Sequence, residues 1–290
     1  MIAFPDSYTG LLIEADAELG ADGAPYVHSV TAYATADGCD GPRRIEVPLE
    51  PYELERSRAY AQGYDLVITN DPATLAAHRA AHPRVEYLPP GFDPAVMKPD
   101  PSATPAYDLA FVGTWFRERV AFFEAVWPEI ESRPHLLAGY WFKDADRVPQ
   151  PDRPPADSFL HAKVRHAIVW PPELCKVYQR SRIALNLHRG SLWHANPEAV
   201  RAQGINPRLF EIAGTGAFQL CDERSELRRC FDPDEVPSFR DAQEAKGLIR
   251  DWLAPSREAA RRTAAGKALA RALAGHTYLR RAESLLAWMR

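Results

Sequence analysis

A chain of 290 residues with 46% hydrophobic and 26% charged side chains is composed like a globular protein, not a disordered or membrane one, and is long enough for two ordinary domains. Its formal net charge of −4 provides no global attraction to nucleic acid, and no apolar run approaches the roughly 18 residues needed to span a bilayer. The four cysteines (Cys39, Cys175, Cys221, Cys230) form no C-x-x-C pair, so free buried thiols are expected in place of a zinc knuckle or redox motif. The first ten residues contain Pro5 and Asp6 and lack a basic start and an apolar core; no signal peptide is read there, and a cytoplasmic location is the default expectation.

Residues 11–13, 27–33 and 45–47 have strand composition between turns at 20–23 and 38–42, and residues 50–61 have helical spacing. Clearer signals follow. Residues 64–69 predict an apolar strand, Asn70-Asp71-Pro72 a helix start, residues 73–81 the helix and residues 85–88 another strand, the pattern of a parallel α/β sheet. A proline-dense passage, 89–101, predicts a linker. The pattern then restarts: strand at 107–112, a Gly113-Thr114 turn, helix from about 118 to 126, strand at 136–142, and a Pro- and Asp-rich loop at 144–158. Residues 173–180 predict a helix and 183–187 a strand, and the remainder (241–253, 257–273, 278–288) is almost continuously helical.

The most informative stretch is Gly204 to Cys221. Leu209, Phe210, Ile212 and Ala213 have helical periodicity behind Asn206-Pro207, Gly214 and Gly216 close the helix, and 217–221 alternate like a strand. Asn206 is a preferred N-cap before a proline, and a helix N-terminus also attracts anions; both readings stand. Gly113-Thr114, followed by Arg117 and Arg119, allows close backbone approach to a phosphate, or serves only to turn the chain. His188-Arg189 follows a buried strand and should emerge at its carboxyl edge, where open parallel sheets bind ligands. No convincing metal-ligand spacing is found: Asp144-Ala145-Asp146 and Asp232-Pro233-Asp234 read as solvated loops. Arg257, Arg261, Arg262, Lys267 and Arg271 read as a solvated basic face.

Four segments together carry a resemblance: Phe111-Val112-Gly113-Thr114, then Tyr178 to Arg189 (Y-Q-R-S-R-I-A-L-N-L-H-R), then Gly204 to Gly216 (G-I-N-P-R-L-F-E-I-A-G-T-G), then His276-Thr277-Tyr278-Leu279-Arg280-Arg281. In order and spacing, across about residues 64–288, they resemble the CgeB-like, spore-maturation-type glycosyltransferases, which are similar to the GT-B group. The resemblance implies an α/β GT-B-like fold: two Rossmann-like domains with a cleft between them and a helical C-terminus. The implied divisions are a shortened acceptor-side domain over 1–98, a donor-binding domain over 99–275, and a terminal helix over 276–290 packing back on the first domain.

It further implies a metal-independent glycosyltransferase without cofactor, moving sugar from a nucleoside diphosphate donor to an unidentified acceptor. Glu211 matches the glutamate that hydrogen-bonds the donor ribose in related enzymes. Gly113, Thr114, Asn206, Arg208, Gly214 and Thr215 are the other implied donor-binding residues, and Arg189, Arg119 and His188 the implied catalytic group around the departing diphosphate. Where many retaining relatives have a second glutamate, eight positions earlier, this chain has Gln203. Retention and inversion both stay open, with Asp6, His28 and Asp71 as candidate bases for the latter. A catalytically silent relative that binds nucleotide sugar or a protein partner is the alternative function, and an α/β nucleotide-binding module acting in assembly is a third.

Overall fold

The computed structural model describes residues 65–141, 154–155, 157–167, 169–188 and 202–288, together with the backbone of 11–19, 25–34, 43–48 and 289. By their contacts the residues fall into two compact units: Met1–Pro89 with Asn196–Gly204 and Leu279–Arg290, and Pro90–Ala195 with Ile205–Tyr278.

The first unit contains a five-stranded sheet, β1 (Leu11–Leu19), β2 (Pro25–Ala34), β3 (Arg43–Pro48), β4 (Leu66–Thr69) and β5 (Val85–Tyr87), in that spatial order. It is a mixed sheet. β1, β2 and β3 pair antiparallel, a meander absent from the expectation of a Rossmann-like domain, whereas β3, β4 and β5 pair parallel. Every residue of β4 is buried, as a parallel strand covered on both faces requires. The parallel step from β4 to β5 passes through a 3-10 turn at Pro72–Thr74 and α1 (Leu75–Ala81). Asp71 starts the turn by accepting from Ala73 N at 2.8 Å. The expected helix at 50–61 lies outside the described residues.

The second unit is built on β6 (Tyr107–Val112), α2 (Arg117–Ile130), β7 (His135–Gly139), β8 (Arg165–His166), α3 (Pro171–Gln179), β9 (Ser181–Asn186), α4 (Pro207–Gly214), β10 (Gln219–Asp222), α5 (Leu227–Cys230), β11 (Ser238–Phe239), α6 (Ala242–Leu253), α7 (Glu258–Gly275) and the start of α8 (Tyr278–Met289). Its six strands pair parallel in the order β11-β10-β9-β6-β7-β8. Alternation along β6 divides the core. Leu109 and Phe111 join a cluster with Trp115, Phe123 and Ile249 on one face, while Ala110 and Val112 join Tyr178, Leu209, Phe210 and Phe231 on the other. Helices α2 and α6 pack together, as do α4 and α7.

Two departures from the sequence reading have clear causes. The proline passage expected as a linker is anchored, because Phe92 and Met97 are buried in the second unit's core; Phe92 is fully buried against α4, where a Cβ on Gly214 would stand 2.3 Å from its ring. Isolated apolar residues among prolines have no periodicity to read. α2 runs four residues beyond its expected end, through Pro128, carried by the buried Val126 and Ile130.

Candidate functional site

β6 lies at the middle of the second sheet, with β7 on one side and β9 on the other. The chain therefore leaves β6 in one direction and later returns to its opposite flank. The carboxyl ends of β6 and β9 flank the point where the strand order reverses, and at this kind of switch point open parallel sheets form ligand crevices. A cavity of about 320 Å³ opens there. It is lined by Phe111 to Thr114 at the end of β6, Arg119 on α2, Tyr178 on α3, Leu185 to Leu187 at the end of β9, Asn206, Pro207, Arg208 and Glu211 at the start of α4, and Tyr278.

The β6 turn is built by two glycines. Gly113 N donates to Ala138 O at 3.1 Å, and Gly139, at φ +130°, lies so close that a Cβ there would stand 1.9 Å from Gly113 O. Only glycine tolerates that dihedral and that approach. Gly139 was not singled out in the sequence; its role depends on a neighbour 26 positions away.

Arg119 is buried, at 9% exposure, and ties the two loops of the crevice together. Its Nη2 donates to Leu187 O at 2.7 Å and its Nη1 to Thr114 O at 2.5 Å, while the guanidinium lies 5.5 Å from the centres of the Phe111 and Phe116 rings. A cation expected to face a leaving group is thus also a strut between backbone carbonyls.

Asn206 caps α4. Its Oδ1 accepts from Leu209 N at 3.2 Å, and its Nδ2 donates to Asn186 Oδ1 at 2.9 Å, joining α4 to β9. One turn in, Arg208 Nη1 donates to Glu211 Oε2, an i,i+3 pair with side chains 34% and 15% exposed. Burial pushes the Tyr178 phenol well above its ordinary pKa, opposed by the charge of Arg208 and reinforced by that of Glu211. Burial, with Glu211 and Asp93 adding to it, raises Tyr278 as well. Tyr278 is held at the rim by the H-T-Y segment: Phe92 N donates to His276 O, Tyr278 N donates to Phe92 O at 3.0 Å, and the His276 ring stacks on Phe210 at 4.7 Å.

The remaining expected residues lie apart from the cavity. Gly214 faces Phe92, and Thr215 turns its hydroxyl to Ile212 O at 2.7 Å, so both close α4 against the core, followed by Gly216 at φ +72°. His188 is buried; its backbone N and Nδ1 both donate to Asp222 Oδ1, at 2.8 and 2.7 Å, and among the described residues Nε2 has no hydrogen-bond partner. Burial opposes the charge on Asp222, but His188 and Arg224 outweigh it and hold the carboxyl down at about 2. Burial, reinforced by Asp222, pushes the neighbouring Cys221 thiol well above its ordinary value. His188, Cys221 and Asp222 bring three ligand-type atoms within 4.8 Å of one another, a grouping invisible in sequence because 33 residues separate His188 from Cys221. With Nδ1 committed to the carboxylate and the thiol held protonated, its chemistry is that of a hydrogen-bonded dyad. Cys175, Cys221 and Cys230 are free and buried, as expected.

Arg189, Asp6 and Asp144-Ala145-Asp146 lie outside the described residues, as does the side chain of His28. Asp71, a candidate base, accepts from Gln203 N and Gly204 N at 3.1 and 2.9 Å as well as from Ala73 N; its carboxylate organises backbone within the first unit. Asp232 and Asp234 pair with Arg271 and Lys267, so the basic face of α7 is matched by acids and is not merely solvated. Among the described residues, no helix is long and apolar enough to cross a membrane.

An open parallel sheet with a crevice at its switch point, preceded by a second sheet, defines an α/β protein of GT-B glycosyltransferase architecture. Residues 117–287, more than half of the chain, match the model of the glycosyl transferase-like family, and the chain belongs to that family. The fold is similar to that of sucrose-phosphate synthase from Thermosynechococcus elongatus (16% identity, TM-score 0.55), covering 82% of this chain and 60% of that one. It is also similar to HepE of Anabaena, solved with UDP and glucose (13% identity, TM-score 0.55, 82% of this chain and 67% of that one). A glycosyltransferase from Rickettsia africae is a third (10% identity, TM-score 0.52, 80% and 66%). The chain therefore spans about 60% to two thirds of the length of these structures. No curated protein sequence matches it significantly.

Proposed function

We propose that the second unit binds a nucleoside diphosphate sugar in the cavity at the ends of β6 and β9, and that the protein transfers the sugar to an acceptor nucleophile. The observation that carries this reading is one pocket lined by the glycine turn at Gly113-Thr114, the N-terminus of α4, and the charged pair Arg208 and Glu211. Each fits a part of such a donor. A carboxylate accepts from the two vicinal ribose hydroxyls, and backbone N–H groups, a helix N-terminus and a guanidinium favour phosphate. In this reading Glu211 holds the ribose, and Gly113-Thr114 with Arg119 stabilises the departing diphosphate by binding developing charge, without requiring a metal. Arg189 and His188 are retained as proposed contributors on sequence grounds, and the likeness to CgeB-like proteins is the finer family reading. That HepE was solved with UDP makes uridine nucleotides the first donors to try.

The test is calorimetry and thermal shift with UDP, GDP and dTDP and their sugar conjugates, followed by donor hydrolysis with and without cell extract. Binding by one nucleotide family is expected; no response to any of them refutes the reading, and binding without turnover identifies a silent relative. Replacing Glu211 by Ala should weaken the bound donor by about 1–3 kcal/mol, the loss of a charged hydrogen-bond partner. Unchanged affinity removes Glu211 from the site.

A further inference from the structure

Arg208 and Glu211 stand three residues apart on one face of α4, line the same cavity, and are bonded to each other through Nη1 and Oε2. Among the described residues, the Glu211 carboxylate accepts a hydrogen bond from Arg208 alone, and the Arg208 guanidinium donates to Glu211 alone. Arg119, the other described guanidinium on this cavity, is held by the carbonyls of Thr114 and Leu187. Arg208 therefore has N–H groups to offer a ligand, and its side chain is one-third exposed at the cavity.

We propose that this pair is a latch opened by the donor itself: the diphosphate takes Arg208 while the ribose hydroxyls take Glu211. The proposal rests on the donor-binding reading above and adds to it a role for Arg208. A nucleoside alone must compete with Arg208 for Oε2. A phosphate alone draws Arg208 away and leaves a carboxylate without its counter-ion in a pocket that shields it from water, a costly arrangement. A ligand carrying both a diol and an anion satisfies both halves at once. The two parts of a nucleoside diphosphate should therefore favour each other's binding, and by linkage each must do so by the same factor.

The experiment titrates uridine and guanosine, with and without inorganic pyrophosphate, and UDP and GDP alone, into the wild-type protein and into Arg208→Gln and Arg208→Lys. In the wild type, pyrophosphate should tighten nucleoside binding by about fivefold to tenfold, at the low end of the usual range of coupling between sites. Arg208→Gln should abolish that coupling, leave the nucleoside bound at least as tightly as before, and weaken the nucleoside diphosphate by about tenfold to a hundredfold, as expected for a lost charge-assisted contact. Arg208→Lys should recover part of the diphosphate affinity, having the charge without the planar fork. A protein that binds UDP or GDP but shows no positive coupling overturns the latch alone, as does an Arg208→Gln variant that weakens nucleoside and nucleoside diphosphate equally. A wild type that binds no nucleoside diphosphate overturns the donor reading together with it.

Discussion

Replacing Asp222 by Asn tests whether the His188–Asp222 dyad is a structural anchor of the β9 and β10 loops. In the wild type, Oδ1 accepts from His188 N and Nδ1, and Oδ2 accepts from Arg224 Nε at 3.0 Å. Burial alone would raise the carboxyl pKa, yet these partners lower it from 3.8 to about 2. A folded pKa below the unfolded one means that the ionised form stabilises the native state. That stabilisation is complete above about pH 5, is lost as the pH falls toward 2, and amounts to on the order of 2.5 kcal/mol. The amide cannot ionise, and it turns N–H donors toward Arg224 or His188. Urea denaturation of both proteins at pH 7, 5 and 3 should show the variant less stable by about 2–3 kcal/mol at the two higher pH values, with the difference roughly halved at pH 3 as the wild type loses its advantage. A penalty below about 0.5 kcal/mol at pH 7, or one that does not shrink at pH 3, would refute the assignment of the low pKa to this dyad.

Gly139→Ala should destabilise the second unit by about 2–4 kcal/mol, because the new methyl meets Gly113 O in a backbone region that only glycine occupies readily; a thermal midpoint within a degree or so of wild type would show that the turn relaxes freely. The same variant should weaken any ligand bound at Gly113-Thr114, read by the same calorimetry. Asp71→Ala removes the acceptor for three backbone N–H groups, Ala73, Gln203 and Gly204, from a fully buried position. A loss of about 2–4 kcal/mol in urea denaturation is expected, with donor affinity in the second unit unchanged. If donor affinity falls while stability holds, Asp71 acts in the chemistry after all.

Much of the second unit was legible because local signals agreed with one another. The apolar strand at residues 107–112, the Asn206-Pro207 start of α4, its apolar face and the Gly216 ending each require only nearby residues, and each recurs in the structure as an element of the expected kind. Two of the short pieces were not legible. β8 has two residues and α5 four, too few for any periodicity, and both exist because their neighbours hold them. The candidate site was half legible. Glu211, Arg208, Asn206 and Gly113-Thr114 share one cavity, whereas Gly214 and Thr215, from the same motif, turn into the core, since successive helical residues point about 100° apart and cannot all face one pocket.

What the sequence determined by itself is the set of parts: strands, caps and turns whose causes lie within a few residues, and a family membership carried by residues 117–287. Pairing was left to the tertiary structure. It set Gly139 against Gly113, closed Asp222 on His188, held Arg119 between the carbonyls of Thr114 and Leu187, and drew Phe92 out of a proline passage into the core beneath α4. Each of these joins residues between 5 and about 120 positions apart. Such contacts depend on the order in which strands are laid into the sheet, which no local pattern of residues encodes.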